Sequence, residues 1–414
     1  MKIIQISHYA GSLQHGMMFR PYYISRECVR MGHEVIIVAA SFSHLRQKNP
    51  EVCSDIQEEF IDGIRYMWIK TPAYHGNGLG RIRNMMCFIR KLYKYLPKIA
   101  SDFKPDAVIA ASTYPLDSYP ARWIAKKHNA KFVFELHDLW PMSPQVLGRM
   151  SKWHPFIMIM QMGEDYWCKN ADVVISLLPD AYKHLVTHGM AMDKYHVVPN
   201  GVDVDEWEEN SVALPPEHEA CINVLKQQSK FLVCYTGGHS ISNGLDAIIN
   251  LAAEVSNESR IYFLLVGKGN EKERLIERTH ILNLTNVSFL PPVPKVCVPT
   301  LLQKMDVLIC VTPDTPLCQY GMSLNKIFDY MMSSKPILWA SRASNDIVSA
   351  AHCGFTVPSD DVAGLKRDLF HIYAMNADKL SKLGCNGRTY ILAHYTYPKL
   401  AQKFIEALEG KKTA

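Results

Sequence analysis

Short runs of apolar residues alternate with segments whose apolar positions recur every three or four residues, through most of the chain. In the first half, runs at 2–7, 34–40, 64–70, 106–112, 131–136, 172–177 and 195–199 read as strands. Most are apolar almost without interruption, as strands covered on both faces are. Helical patterns separate most of them, which predicts a parallel sheet with right-handed crossovers. Residues 199–205, PNGVDVD, bring turn chemistry into the middle of the chain, and a polar stretch over 206–229 follows. The alternation then restarts, with strands predicted at 230–236, 260–266, 286–290, 306–312, 336–341 and 354–357. The pattern predicts an α/β protein of two doubly wound parallel-sheet domains, at 1–203 and 204–395. Residues 376–409 read as helices broken at Tyr397-Pro398, and the last of these, about 396–410, is expected to pack back on the first domain.

Composition narrows the class. With 414 residues, 48% hydrophobic and 21% charged, the chain is an ordinary globular one of more than one domain. A net charge of +5 is too small to argue for nucleic acid. Eleven cysteines occur without a C-x-x-C, which fits reduced thiols in a cytosolic protein better than a disulfide framework. The opening MKIIQISHYAGS turns polar too soon for a signal peptide, and no run is long enough to span a bilayer. Any membrane contact is therefore expected to be peripheral.

Candidate chemistry collects where strands give way to helices. In CQYGMSLNKIFDYMMSSKPIL, 318–338, Ser323 reads as the N-cap of a helix that Pro336 ends, and Asn325 is a candidate donor-binding residue there. Lys326 and Asp329, three apart, share a face. A helix N-terminus with an adjacent lysine suits a phosphate, and a carboxylate one turn on suits sugar hydroxyls. Two glycine loops follow successive strands of the second domain. YTGGHSISNGLD, 235–246, offers Gly237, Gly238, His239 and Asn243; VGKGN, 266–270, offers Gly267 and Lys268. Backbone N–H groups of such loops can reach a phosphate, and all three stretches converge on one end of one sheet. In the first domain, GSLQHGMMFR (11–20) follows the first strand; Gly11 and Gly16 allow close approach of an acceptor or phosphate, and Arg20 offers a charge. ELHDLWPMS, 135–143, puts His137 and Asp138 at the carboxyl end of a strand, where ligands of open α/β sheets bind.

Two further stretches carry alternatives. RIRNMMCFIRKLYKYLPK, 81–98, is a basic amphipathic helix whose Ile82, Met85, Met86, Ile89, Leu92 and Tyr93 form a stripe. It reads equally as core with a solvated back, or as an anionic-membrane contact through Arg83, Arg90 and Lys94. The apolar run 153–162 reads as a packed helix or a second such patch. His184 and His188, four apart on one helix, are half a zinc site with no third ligand in the sequence, so the pair is discounted and no metal site is expected. Asp203-Val-Asp205 reads as linker chemistry.

With these residues in place, the chain resembles the retaining glycosyltransferases of family 4, with the two-domain GT-B fold. The resemblance rests on RMGHEV at 30–35, ELHD at 135–138, NADVVIS at 170–176, VVPNGVD at 197–203, VGKG at 266–269 and the Lys326/Asp329 helix. FRPYYISRE, ASFSH, HDLWP and NGLD look most like the branch containing N-acetyl-L-fucosamine transferases of bacterial surface polysaccharides. The resemblance implies a second domain that binds a UDP sugar, a first domain that binds the acceptor, and reaction in the cleft. It matches His137 to the histidine that contacts the donor sugar and Asp329 to the carboxylate that binds ribose. It implies catalysis without metal or further cofactor, the leaving diphosphate being held by cations and N–H groups, and retention by front-side displacement. Gly321 stands where the family has its first carboxylate, and Gly238 and Asn243 where it has Arg and Lys. Lys326 is then the first candidate for the diphosphate's cation, with Arg20 and Lys268 behind it. The resulting expectation is transfer of a hexose or hexosamine, in that branch an N-acetyl-6-deoxyhexosamine, to a polyprenyl-diphosphate-linked saccharide. Such a reaction belongs to O-antigen, capsule or exopolysaccharide synthesis and is expected at the inner face of the cell membrane. A nucleotide-sugar epimerase and a non-catalytic sugar-nucleotide binding protein remain compatible with the same residues.

Overall fold

Fourteen strands among the described residues form two sheets. The structure is a computed structural model that describes residues 1–76, 78–208 and 212–411. It divides into two units: Met1–Pro199 with Tyr397–Ala414, and Asn200–Thr396.

The first unit holds β1 (Lys2–Ile6), β2 (Glu34–Ala40), β3 (Ile56–Ile61), β4 (Ile64–Ile69), β5 (Ala107–Ala110), β6 (Lys131–Leu136), β7 (Val173–Ser176) and β8 (Tyr195–Val197). They lie in the order β3-β4-β2-β1-β5-β6-β7-β8. All neighbours pair in parallel except β3 and β4. Strand β3 was not expected from the sequence. Its IQEEFI is polar at the centre and half exposed, so it lacks the apolar run that marks the others. Its signal was the Asp62-Gly63 turn, where both residues take positive φ (50° and 79°), as a two-residue hairpin loop requires.

The second unit holds β9 (Phe231–Thr236), β10 (Ile261–Val266), β11 (Val287–Leu290), β12 (Val307–Val311), β13 (Ile337–Ala340) and β14 (Gly354–Val357). All are parallel, in the order β11-β10-β9-β12-β13-β14. Apolar clusters fill both faces of this sheet, which explains the uninterrupted apolar runs. In each sheet the strand order reverses once, between β1 and β5 and between β9 and β12. At such switch points the loops after adjacent strands diverge and open a crevice for ligands.

The helix Tyr397–Glu409 belongs to the first unit. Its Leu400, Ala401 and Phe404 join that core, and Tyr397 stacks on Tyr23 with ring centroids 4.5 Å apart. The basic helix spans Leu79–Phe103, and its apolar residues divide. Met85, Ile89 and Leu92 are core, whereas Met86 (51% exposed) and Tyr93 (42%) face out, with Ile82 at the edge.

Candidate active site

The loops after β9 and β10 lock together through their backbones. Gly237 N–H donates to Val266 O (3.0 Å) and His239 N–H to Lys268 O (2.8 Å). A Cβ on Gly267 would lie 1.9 Å from Gly237 O, so only glycine permits this approach. Gly237, with φ of 142°, leaves the space that Lys326 enters; a Cβ there would sit 3.2 Å from the lysine Nζ. Lys326 Nζ donates to Tyr235 Oη and to Asn243 Oδ1, both at 2.7 Å, and lies 4.5 Å from the centre of the Tyr235 ring. Burial pulls the lysine below its usual pKa. No carboxylate pairs with it among the described residues.

His239 is fully buried, and neither ring nitrogen has a hydrogen-bond partner among the described residues. Burial, with Lys272 and Lys326 adding repulsion, lowers its pKa to about 4, so the imidazole is neutral near pH 7. Lys272, which the sequence reading passed over, donates to Gly267 O and Leu290 O and braces the second glycine loop from behind. Lys268 and Asn325 are exposed at the loop tip and the helix start, and Gly238 is exposed as well.

The helix Asn325–Met332 begins without a side-chain cap. Ser323 does not cap it, contrary to expectation. The Ser323 hydroxyl accepts from Asn200 N–H (2.8 Å), and Asn200 Nδ2 donates to Ser323 O (2.8 Å). The PNG turn thus fastens the loop leading into this helix, and the helix's first N–H groups are left for another acceptor. Asp329 faces a different set of groups from Lys326. Burial raises its carboxyl to about 6, Lys295 opposes that, Glu206 reinforces it, and Trp207 supplies a hydrogen bond. Glu206 and Lys295 pair at 2.7 Å. The start of the polar stretch read at 206–229 therefore contributes to the surroundings of Asp329.

In the first unit, Arg20 is not an anion site. Its Nε donates to Glu135 Oε1 (2.9 Å), Nη1 to Pro199 O (2.6 Å) and Nη2 to Val198 O (2.7 Å), and the side chain is 5% exposed. Gly11 and Gly16 do not form a cradle either. A Cβ on Gly11 would meet the carbonyls of Met17 (2.3 Å) and Gly16 (2.6 Å), so this glycine closes the loop on itself, and one on Gly16 would meet the Gln47 side chain, so this glycine is used in packing on a neighbouring segment. Glu135 is the hub that sequence reasoning missed. It accepts from Arg20, from Gln5 Nε2 (2.8 Å), and lies 3.3 Å from His137 Nε2. Burial alone would raise its carboxyl, but Arg20 and His137 outweigh that and hold it at about 2. His137 is thereby oriented by a carboxylate at the end of β6, while Asp138 is exposed beside it. Nearby, the fully buried His8 meets Tyr114 Oη at 2.6 Å, and Arg46 donates to three carbonyls around the end of β1. Arg81 lies over the rings of Tyr9 (5.5 Å) and Trp140 (5.8 Å), turned towards the strand ends.

Arg83 and Arg90 are exposed, as is Lys94, which pairs with Asp55 at 3.3 Å. The run 153–162 enters a helix, Pro155–Asn170, with Ile157 and Met160 buried and Met158, Ile159, Met162 and Trp153 exposed. His184 and His188 do have carboxylate company, which the sequence did not reveal: Glu164 and Asp165 come from that same helix.

A model described as Glycosyltransferase Family 4 matches residues 19–206, and one described as Glycosyl transferases group 1 matches residues 230–374. The chain is 22% identical over 286 residues to the putative colanic acid biosynthesis glycosyl transferase WcaI of Escherichia coli K12, covering 66% of this chain and 68% of that one. Among solved structures it is similar to sucrose-phosphate synthase from Thermosynechococcus elongatus, with a TM-score of 0.73 and 16% identity over 98% of both chains. It is also similar to Anabaena Alr3699/HepE in complex with UDP and glucose, with a TM-score of 0.67, 15% identity and coverage of 98% and 99%. At these identities the structural likeness is one of fold, that of the GT-B glycosyltransferases.

Proposed function

The chain belongs to glycosyltransferase family 4, and on that premise we propose that it moves a hexose or hexosamine from UDP to a lipid-linked saccharide, with retention, in surface-polysaccharide synthesis. The observation that carries this reading is Lys326. A half-buried cation, bonded only to neutral groups, stands beside two interlocked glycine loops and an uncapped helix start. A diphosphate supplies the negative charge such a group lacks. Asp329, with Lys295 and Glu206 beside it, suits the ribose. His137, held by Glu135, is the group offered to the sugar. The leaving diphosphate is then stabilised by the lysine and by backbone N–H groups, an electrostatic form of catalysis that calls for no metal. A UDP-bound structure of the same fold and a putative colanic acid biosynthesis glycosyl transferase among the matches support the donor and the pathway class.

The decisive assay is UDP release from a panel of UDP sugars, with and without a membrane-lipid extract. Release that needs one sugar and the lipid together is the expected result. Conversion of the donor without lipid would replace the transferase reading by an epimerase.

The membrane part of the proposal rests on three helices lying side by side. Tyr93 meets Trp123 at 5.5 Å, and Tyr119 donates to Met162 O, so the exposed apolar residues of Leu79–Phe103, Ser118–Lys127 and Pro155–Asn170 adjoin. Arg83 and Arg90 supply charge, each worth about 1 kcal/mol near an anionic surface. Vesicles rich in anionic lipid should float the protein, and charge reversal at Arg83 and Arg90 should weaken flotation; unchanged flotation would remove this helix from the contact.

A further inference from the structure

Away from the strand ends, the helix Pro155–Asn170 meets the turn Tyr182–Leu185 and Val186–His188 through four titratable side chains. Glu164 Oε1 lies 3.1 Å from His184 Nε2, and Asp165 Oδ1 lies 2.7 Å from His188 Nδ1. The two imidazoles are themselves neighbours, with ring centroids 4.4 Å apart. One ligand atom each from Glu164, His184 and His188 lies within 4.8 Å of the others. The Gln161 amide nitrogen reaches both carboxylates, at 2.8 Å and 2.9 Å.

We propose that Glu164, His184 and His188 form a divalent-metal site of the zinc class that ties the Pro155–Asn170 helix to the turn before β8. The donor set is the first reason. Two imidazoles and a carboxylate suit zinc and its neighbours, and ligands four apart on one helical turn plus a third from a facing helix is a common way to build such a site. The spacing is the second. Two ligand atoms bound tetrahedrally at the usual zinc distances stand about 3.3 Å apart, close to the 3.1 Å between Glu164 and His184. Burial is the third. The Glu164 side chain is wholly buried, a second carboxylate, Asp165, stands beside it, and a buried carboxylate is expensive unless a cation reaches it. Asp165 has the place of an outer partner. Its Oδ1 and the Gln161 amide nitrogen (3.1 Å) both face His188 Nδ1, which leaves Nε2 for the ion, an arrangement usual behind metal-bound histidines. Entry is open from solvent, where His188 is 24% and Asp165 41% exposed. Three protein ligands leave a fourth position for water. The role is structural: the ion would fix the turn that leads into β8, against the helix that carries Met158, Ile159 and Met162 on its outer side.

The test uses the full chain, stripped with chelator and dialysed against Zn2+ or Co2+. We expect one tightly held equivalent, a visible Co2+ spectrum of the intense tetrahedral type, and a higher melting temperature on Zn2+ addition. The double substitution His184→Gln/His188→Gln should abolish all three. Since that pair also bonds the helix, Asp165→Asn serves as a second variant. It leaves all three ligands in place, changes only the contacts to His188 and Gln161, and should weaken Zn2+ binding about tenfold, within the range for outer-shell changes. If the wild-type chain takes up no more metal than the double variant, the four groups are an ion-paired cluster and the proposal fails. A tetrahedral spectrum that persists in the double variant would put the metal elsewhere and fail it equally.

Discussion

Replacing Glu135 by alanine lowers the unfolding free energy by about 3–5 kcal/mol, the usual cost of leaving one member of a buried ion pair without its partner. The guanidinium of Arg20 is 5% exposed and the Glu135 carboxylate not at all, so water cannot take the missing place. Gln5 loses its acceptor in the same step, and His137 loses the group that orients it. Denaturant unfolding of the full chain measures the change, and a loss under about 1 kcal/mol would mean that Arg20 finds another partner. The double variant Arg20→Met/Glu135→Leu should lose much less than the two single changes together, because replacing both charges removes the orphan. The same pair sets an acid limit. The Glu135 carboxyl is held at about 2, below its ordinary 4.5. Its contribution is therefore complete above the unfolded value and is lost as pH falls through that window towards 2. The alanine variant should lack this segment of the acid-unfolding curve.

Turnover should fall as well in the Glu135 variant, since His137 is the residue the carboxylate aims. That link between a stability hub and a candidate catalytic group could not be read along the chain. Arg20 and Glu135 are 115 positions apart, and the motif ELHD presents its glutamate as the next-to-last residue of a buried strand. The carboxyl end of β6 was legible because apolar strands buried on both faces announce their own limits. What each side chain meets there was not, because the partners come from β1, the first helix and the chain beyond β8. Ser323 shows the same limit in a smaller way. Its position before a helix is right for a cap, but Asn200, 123 residues away, takes the hydroxyl. Strand β3 was hidden for a different reason. An edge strand covered on one side carries polar residues at its centre, and only the Asp62-Gly63 turn betrayed it. In the second unit the glycine loops and Lys326 were legible because glycine next to a strand end has few structural uses other than close approach. Lys295 and Glu206, by contrast, sit in stretches with no motif and became visible only around Asp329.

Lys326→Ala should weaken UDP binding about ten- to hundredfold, from the roughly 1.5–3 kcal/mol of a charged hydrogen bond at about 1.4 kcal/mol per decade. The structure gives this prediction a second half. In the free protein the lysine is desolvated, and its partners Tyr235 and Asn243 are neutral. Those partners do not depend on it for their own placement. Tyr235 donates to Gly238 O at 2.9 Å, and Asn243 Nδ2 donates to Gly238 O and to the Ser240 hydroxyl. Removing the amine therefore relieves a buried charge and leaves the loop fastened. The unfolding midpoint of the free protein should stay the same or rise, while the increment in stability on adding UDP shrinks. A lysine serving only to brace the loop would give the opposite pair of results, a lower midpoint and an unchanged UDP affinity. Calorimetric titration with UDP and melting curves with and without it separate the two, because a diphosphate-binding cation is destabilising until its ligand arrives.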